Sequence, residues 1–286
     1  MPSALWWKVF YQQERAGLGE AGLLALLDRA PPIELPPRGA LIIPHTRLEV
    51  SGALIAAAAN AVVRAGADEI LAIGVLHGAR EADAEMVARA RAGDAPAVAE
   101  LRRVHGAGVD GDAGCWTEEF SLDAFTKLVD LAARRAGRTP PRIIARYPFL
   151  VGDHPDDLPG LDELRRLHER GVPIIATADP IHHGVGYGTP IEARRARTAS
   201  DTINWARSNV EEAFTLLARR DYPAFLDHAA STRSDFRDAG PVLVALLDGQ
   251  LEARVHDLVS VDYAPALGAE EPTWVAAALA EFTCRQ

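Results

Sequence analysis

Two apolar runs, Ala40-Leu41-Ile42-Ile43-Pro44-His45 and Glu69-Ile70-Leu71-Ala72-Ile73-Gly74-Val75-Leu76-His77, set the frame of the chain. Neither alternates apolar with polar residues, so each predicts a strand buried on both faces. Between them, residues 52–65 are apolar and Ala-rich and predict a buried helix. The three together make a β-α-β unit, whose strands run parallel and release their last residues on one rim of a sheet. Both runs end in histidine.

The pattern continues with strands over 142–151 and 172–178, helices over 80–103, 117–135 and 161–170, and a long helical region over 191–219. Thr117 is placed to cap its helix. Shorter helices are expected around 224–230 and over 241–247, with Pro241 in the first turn of the latter. Two further strands, 251–263 and 274–282, are predicted to pair antiparallel at the sheet edge. At the N-terminus a helix is expected from about Glu20 to Arg29, closed by Pro31-Pro32. Residues 106–114, with four glycines and two aspartates, predict a loop above the sheet. No repeat or low-complexity linker divides the chain. The expected architecture is a single α/β domain over 1–286, a central mixed, mostly parallel sheet flanked by helices, with 1–38 an N-terminal appendage packed on it.

Composition narrows the class. With 286 residues, 48% of them hydrophobic, the chain can bury a large core. A net charge of -10 and the absence of a basic run argue against a nucleic-acid partner. Cys115 and Cys284 form no CxxC motif and no disulfide framework, which fits a reducing cytoplasm. The first ten residues lack the charged and apolar regions of a signal peptide, and the most apolar stretch, 53–63, is too short to span a bilayer. Trp6-Trp7 would serve either as a contact in a homo-oligomer or as a patch packed on its own domain.

Chemistry gathers where strands stop. His45 and His77 place two imidazoles on one rim, and a carboxylate from the Asp235–Asp238 region would complete the two-His-one-carboxylate face that suits Fe(II), leaving positions open for substrate and dioxygen. Asp179, His182 and His183 follow the 172–178 strand and supply candidate catalytic groups, His182 as proton acceptor and donor. The run Gly184-Val185-Gly186-Tyr187-Gly188 has neither the lysine nor the spacing of a phosphate loop. His105, His154, His168, His228 and His256 have no converging neighbours in the sequence. Zn(II) or Cu would also accept imidazole, and a hydrolase working through metal-bound water, or a pocket that binds ligand or metal without turnover, stands beside the oxygenase reading.

These stretches resemble, in order, the motifs of the Memo-like family, which is related to the class III extradiol ring-cleavage dioxygenases. Val9-Phe10-Tyr11 is similar to its N-terminal FYP region and Ile42-Ile43-Pro44-His45 with Ser51-Gly52 to PHAGY..SG. Ile73-Gly74-Val75-Leu76-His77 resembles LGPSH, Glu119-Phe120-Ser121-Leu122-Asp123 resembles EHSLE, and Phe149-Leu150-Val151-Gly152-Asp153 resembles PILVGD. Ala178-Asp179-Pro180-Ile181-His182-His183-Gly184 is similar to SSD.SH.G, and residues 240–246 to the family's last apolar helix. The resemblance implies His45 and His77 as metal ligands, Asp179 as a polar neighbour and His182 as acid/base. Arg237-Asp238 stands where Memo proteins carry cysteine and the dioxygenases glutamate, Phe120 replaces a histidine, and the tyrosine of PHAGY is missing. A carboxylate at that place restores a hard oxygen ligand. The expectation is an Fe(II) oxygenase acting on a catechol-like or other chelating small molecule, roofed by Val185–Tyr187 and the 106–114 loop.

Overall fold

A computed structural model of the chain describes residues 2–77, 84–92, 94, 96–97, 119–150, 152–156, 158–198 and 200–285. The apolar runs form strands as their pattern requires: β1 (Ala40–Ile43) and β4 (Ile174–Thr177) are buried at every position, and β2 (Glu69–Ile73) at all but its first. β1 and β2 do not touch. β4 lies between them, parallel to both, with Ala40 opposite Ile174 and Leu71 opposite the same residue. β3 (Arg142–Arg146) pairs with the outer side of β2.

The other half of the sheet depends on β7 (Thr273–Cys284). Its C-terminal part pairs antiparallel with β1 and its N-terminal part with β5 (Ile181–Gly184). β6 (Leu251–Asp262) follows the opposite edge of β7, with one bulge between Val255 and Asp257. The sheet therefore has seven strands, in the order β3-β2-β4-β1-β7-β5 with β6 beside β7. Three of its six pairings are parallel and three, all made by β7, are antiparallel.

Alternate strand residues enter two cores. Ile42, Leu71, Ile174 and Ala278 face α5 (Leu161–Glu169), α6 (Ser200–Ala218), α7 (Tyr222–Thr232) and α8 (Ala239–Leu246). Leu41, Ile70, Ile175 and Leu279 face α1 (Ala4–Arg29), α2 (Leu48–Ala65) and α4 (Asp123–Arg135). Burial on both faces explains why these strands carry no polar alternation. Among the described residues, α2 alone is long and apolar enough to cross a bilayer, and Ala56, Ala57, Ala58 and Ala59 within it are fully buried. It is a core helix here.

Several elements differ from the sequence expectation. α1 begins at Ala4, with the Ser3 hydroxyl accepting from Trp6 N, and crosses a kink at Gly19, whose φ of 62° ends the first helical segment. Trp7 is buried and Trp6 is exposed, stacked on Phe10. β3 stops at Arg146, just before Tyr147-Pro148, where proline removes a donor. α3 spans Ala84–Arg91, inside the helix expected over 80–103, of which 80–83, 93, 95 and 98–103 lie outside the described residues, and α6 starts at Ser200 after a separate short turn at Ile191–Ala193. β7 is interior to the sheet, with partners on both sides. The 106–114 loop, Cys115 and Thr117 lie outside the described residues.

Candidate functional site

The site lies where β1 stops and β5 takes its place beside β7. Pro44 follows β1 and Pro180 precedes β5, so neither continues a ladder through its own N–H. Ala178 N still donates to Ile43 O at 2.9 Å, after which the two chains separate. His45 N donates to Asp179 Oδ1 at 3.3 Å, and Asp179 N donates to Asp235 Oδ1 at 2.9 Å. Asp235 opens the short helical turn Asp235–Arg237, whose preceding residue Ser234 accepts from Phe236 N. Three distant loops are thus tied by two buried carboxylates.

The His77 loop is held separately. At Gly74 an added Cβ would meet the Tyr147 ring at 2.4 Å, so the close approach needs glycine. Ser121 Oγ accepts from Val75 N at 3.0 Å and donates to Val75 O at 3.1 Å. Glu119 completes the clamp: its carboxylate accepts from His77 N at 2.6 Å, Phe120 N at 2.8 Å and Ser121 N at 3.1 Å, and lies 2.9 Å from His77 Nδ1. With Nδ1–H donating to Glu119, the His77 Nε2 carries the free lone pair. Phe120 stacks on the His77 ring, centroids 4.3 Å apart.

The histidine rings predicted to share a rim do so, with His45 and His77 centroids 5.2 Å apart. One ligand atom each from His45, His77 and Asp235 lie within 4.8 Å of one another, as do those of Asp179, His182 and Asp235. His45 Nε2 is 3.1 Å from Asp235 Oδ2 and 3.7 Å from Asp179 Oδ2, and His182 Nε2 is 3.9 Å from Asp235 Oδ2. Despite that proximity, Asp235 Oδ2 is buried with no hydrogen bond, and so is His45 Nδ1. At 3.1 Å the His45 imidazolium and the Asp235 carboxylate attract strongly.

Electrostatics follow from burial. Burial alone disfavours the His45 imidazolium, but the Asp179 and Asp235 carboxylates outweigh it and raise its pKa to about 9. Burial also opposes ionisation of Asp235, yet the facing imidazoles, His45 first, hold its pKa below the usual range. Asp179 moves the other way, raised by burial with His45 only partly offsetting it. Burial lowers His182 to about 4, so this imidazole is neutral at physiological pH. His182 Nδ1 donates to Arg233 O at 2.9 Å, which leaves Nε2 as the acceptor facing Asp235.

Above the cluster is a cavity of about 540 Å³, lined by His45, His77, Asp179, His182 and Asp235 at its polar end and by Trp7, Tyr11, Phe120, Tyr187, Tyr263 and Val275 elsewhere. The Tyr11 and Tyr263 hydroxyls share a 2.5 Å hydrogen bond, and Thr46 Oγ1 bonds the Tyr263 hydroxyl as well. Tyr187 meets the His182 ring edge-on at 4.9 Å, which puts the Val185–Tyr187 turn on the cavity wall.

Two sequence candidates lie apart from this cluster. His183 is on the opposite face of β5, between Trp205 and Trp274, where its Nε2 accepts from Arg195 N at 2.8 Å. Burial, with Arg195 nearby, lowers its pKa to about 4. Asp238 is buried at the start of α8 and is not among the residues lining the cavity. Glu119 received no role from sequence reasoning, and neither did the aromatic wall of Trp7 and Tyr11. The sequence signals for Glu119 were its place at the head of the EHSLE-like stretch and in a short polar run just before a helix.

The fold and site together define an α/β protein with a buried histidine–carboxylate cluster under an aromatic cavity. No protein-family model matches this chain, and no curated protein matches it.

Proposed function

We propose that the chain is a mononuclear non-haem Fe(II) oxygenase acting on a catechol-like or other chelating aromatic small molecule. The observation that carries this reading is the buried, unbonded Asp235 Oδ2 beside two imidazoles at the floor of a ligand-sized cavity. In the metal-free protein the His45 imidazolium at 3.1 Å offsets the Asp235 charge, and a metal cation held by the neutral imidazole would take the imidazolium's place. Bonds of about 2.1 Å to a shared ion require each donor to shift inward by under about 1 Å. His45, His77 and Asp235 would hold the metal, a donor set that suits Fe(II) and also accepts Zn(II) or Cu. A ferrous ion there would supply redox access to dioxygen and charge to hold a chelating substrate.

The chain's own groups supply the rest. Glu119 fixes the His77 tautomer, and the Arg233 carbonyl fixes that of His182. The neutral His182 Nε2 can take a proton from a substrate hydroxyl, and Asp235 at 3.9 Å steadies the resulting imidazolium. Trp7, Tyr11, Phe120 and Tyr187 exclude water from the reacting end. The motif resemblance to the Memo-like proteins and their dioxygenase relatives supports the same reading. A hydrolytic alternative rests on Asp179, whose raised pKa suits a base for water.

The test is anaerobic loading with Fe(II), Zn(II) or Cu, metal analysis of the wild type, His45→Ala, His77→Ala and Asp235→Asn, then oxygen uptake with a panel of catechols. One tightly held ion, lost in all three variants, with catechol-dependent oxygen consumption is expected. Full metal content in the histidine variants would refute the site. Metal binding with ester or amide cleavage and no oxygen uptake would favour the hydrolase.

A further inference from the structure

We propose that Arg233 is the anchor for an anionic group on the ligand, so that the cavity selects aromatic carboxylates over their neutral counterparts. This deepens the oxygenase reading by naming a substrate class for the same cavity.

Arg233 ends α7 in the left-handed conformation, φ 55° and ψ 35°, where glycine or asparagine is the usual choice. Its backbone carbonyl already serves the site by accepting from His182 Nδ1. Arg233 is also the one Arg or Lys among the described residues lining the cavity. Nη2 donates to Gly188 O at 2.8 Å, which fixes the head group against the turn that carries Tyr187. Among the described residues no carboxylate pairs with it, although the arginines elsewhere on the surface commonly have one, as Arg135 does with Asp28 and Arg146 with Glu163.

A clip for the turn would need one donor, and guanidinium has five. The remaining N–H groups are left for an anionic group on a ligand in the cavity. Phe120, Tyr187 and Tyr263 also line the cavity, and their flat faces suit a planar ring. Guanidinium recognises carboxylate through paired hydrogen bonds that an amide cannot reproduce.

The test uses benzoate and benzamide as matched probes, titrated calorimetrically into metal-free wild type, Arg233→Asn and Arg233→Lys. Asparagine tolerates the left-handed backbone and keeps the carbonyl that holds His182. Wild type is expected to bind benzoate at least about tenfold more tightly than benzamide. Arg233→Asn should lose about tenfold for benzoate, with benzamide changed less than about twofold, and Arg233→Lys should recover part of the loss. Equal binding of the two probes, binding of neither, or equal losses in Arg233→Asn would overturn the proposal; the wild-type comparison decides even if a variant fails to fold. Metal loading is read separately. Carboxylate selectivity through Arg233 in a protein that takes up no metal would keep this inference and remove the oxygenase, whereas metal uptake without selectivity would do the reverse.

Discussion

Replacing Glu119 by glutamine tests how the His77 imidazole, a ligand in the proposed metal site, is oriented. The Glu119 side chain is 1% exposed and its two oxygens serve four donors, His77 Nδ1, His77 N, Phe120 N and Ser121 N. An amide keeps one acceptor oxygen. If that oxygen stays with Nδ1, Phe120 and Ser121, the new NH2 faces the His77 amide donor to donor. Losing a charge-assisted bond and leaving a buried donor unpaired is worth about 2–4 kcal/mol after allowing for relief of carboxylate desolvation. For a chain of this size that corresponds to a fall in Tm of roughly 5–10 °C. The His77 ring would also lose the partner that keeps its proton on Nδ1, and metal affinity should fall roughly 10–100-fold. Thermal melts in chelator and competitive Zn(II) titration read the two effects separately. A variant that melts lower yet binds metal with unchanged affinity would show that His77 is not a ligand oriented by Glu119.

Three further outcomes are expected. In metal-free protein, the His45 pKa near 9 lies above the unfolded value of about 6.5, so its contribution, on the order of 3 kcal/mol, is fully present below pH 6.5 and lost as pH rises through 9; denaturant melts across that range should show the loss, and His45→Gln should flatten it. His182→Ala should keep the metal and lose turnover, whereas His183→Ala should lower stability by opening space between Trp205 and Trp274 while leaving metal content unchanged, as metal analysis and melts will show. Asp235→Asn can retain the Oδ1 acceptor for Asp179 N but not the second anionic oxygen, so it should fold and fail to bind metal; Asp235→Ala loses both and should be about 1–3 kcal/mol less stable than Asp235→Asn in chelator melts.

β1, β2 and β4 were legible because they are buried on both faces, and an unbroken apolar run that short is the mark of a buried strand rather than of a helix or a solvated loop. His45 and His77 were visible for the same reason, being the first titratable residues after such runs. β5 was not. Its four residues include two histidines, and it is a strand only because β1 vacates that edge of β7 at Ile43. Asp235 and Asp238 were indistinguishable in sequence, since the irregular turn between them decides which faces the imidazoles. Glu119 was hidden because its partner is 42 residues earlier, in a different loop. The first half of α1 was missed where Gly19 interrupts it, and with it the Trp7 and Tyr11 wall.

The exchange of β1 for β5 also accounts for the acids at the site. Ending one strand and starting another beside the same partner leaves backbone amides buried without a ladder, and here they are the amides of His45 and Asp179. Asp179 and Asp235 accept from them through Oδ1, a structural task that would keep both carboxylates buried even in a protein with no metal. That task uses one oxygen of each. The Oδ2 atoms are thereby turned toward His45 and His182, so a sheet defect is repaired in a way that presents unspent negative charge to two imidazoles. A purely structural repair would be served as well by asparagine, whose second position could donate. Aspartate at both places, with no hydrogen bond to Asp235 Oδ2, is the feature on which the proposed metal site rests.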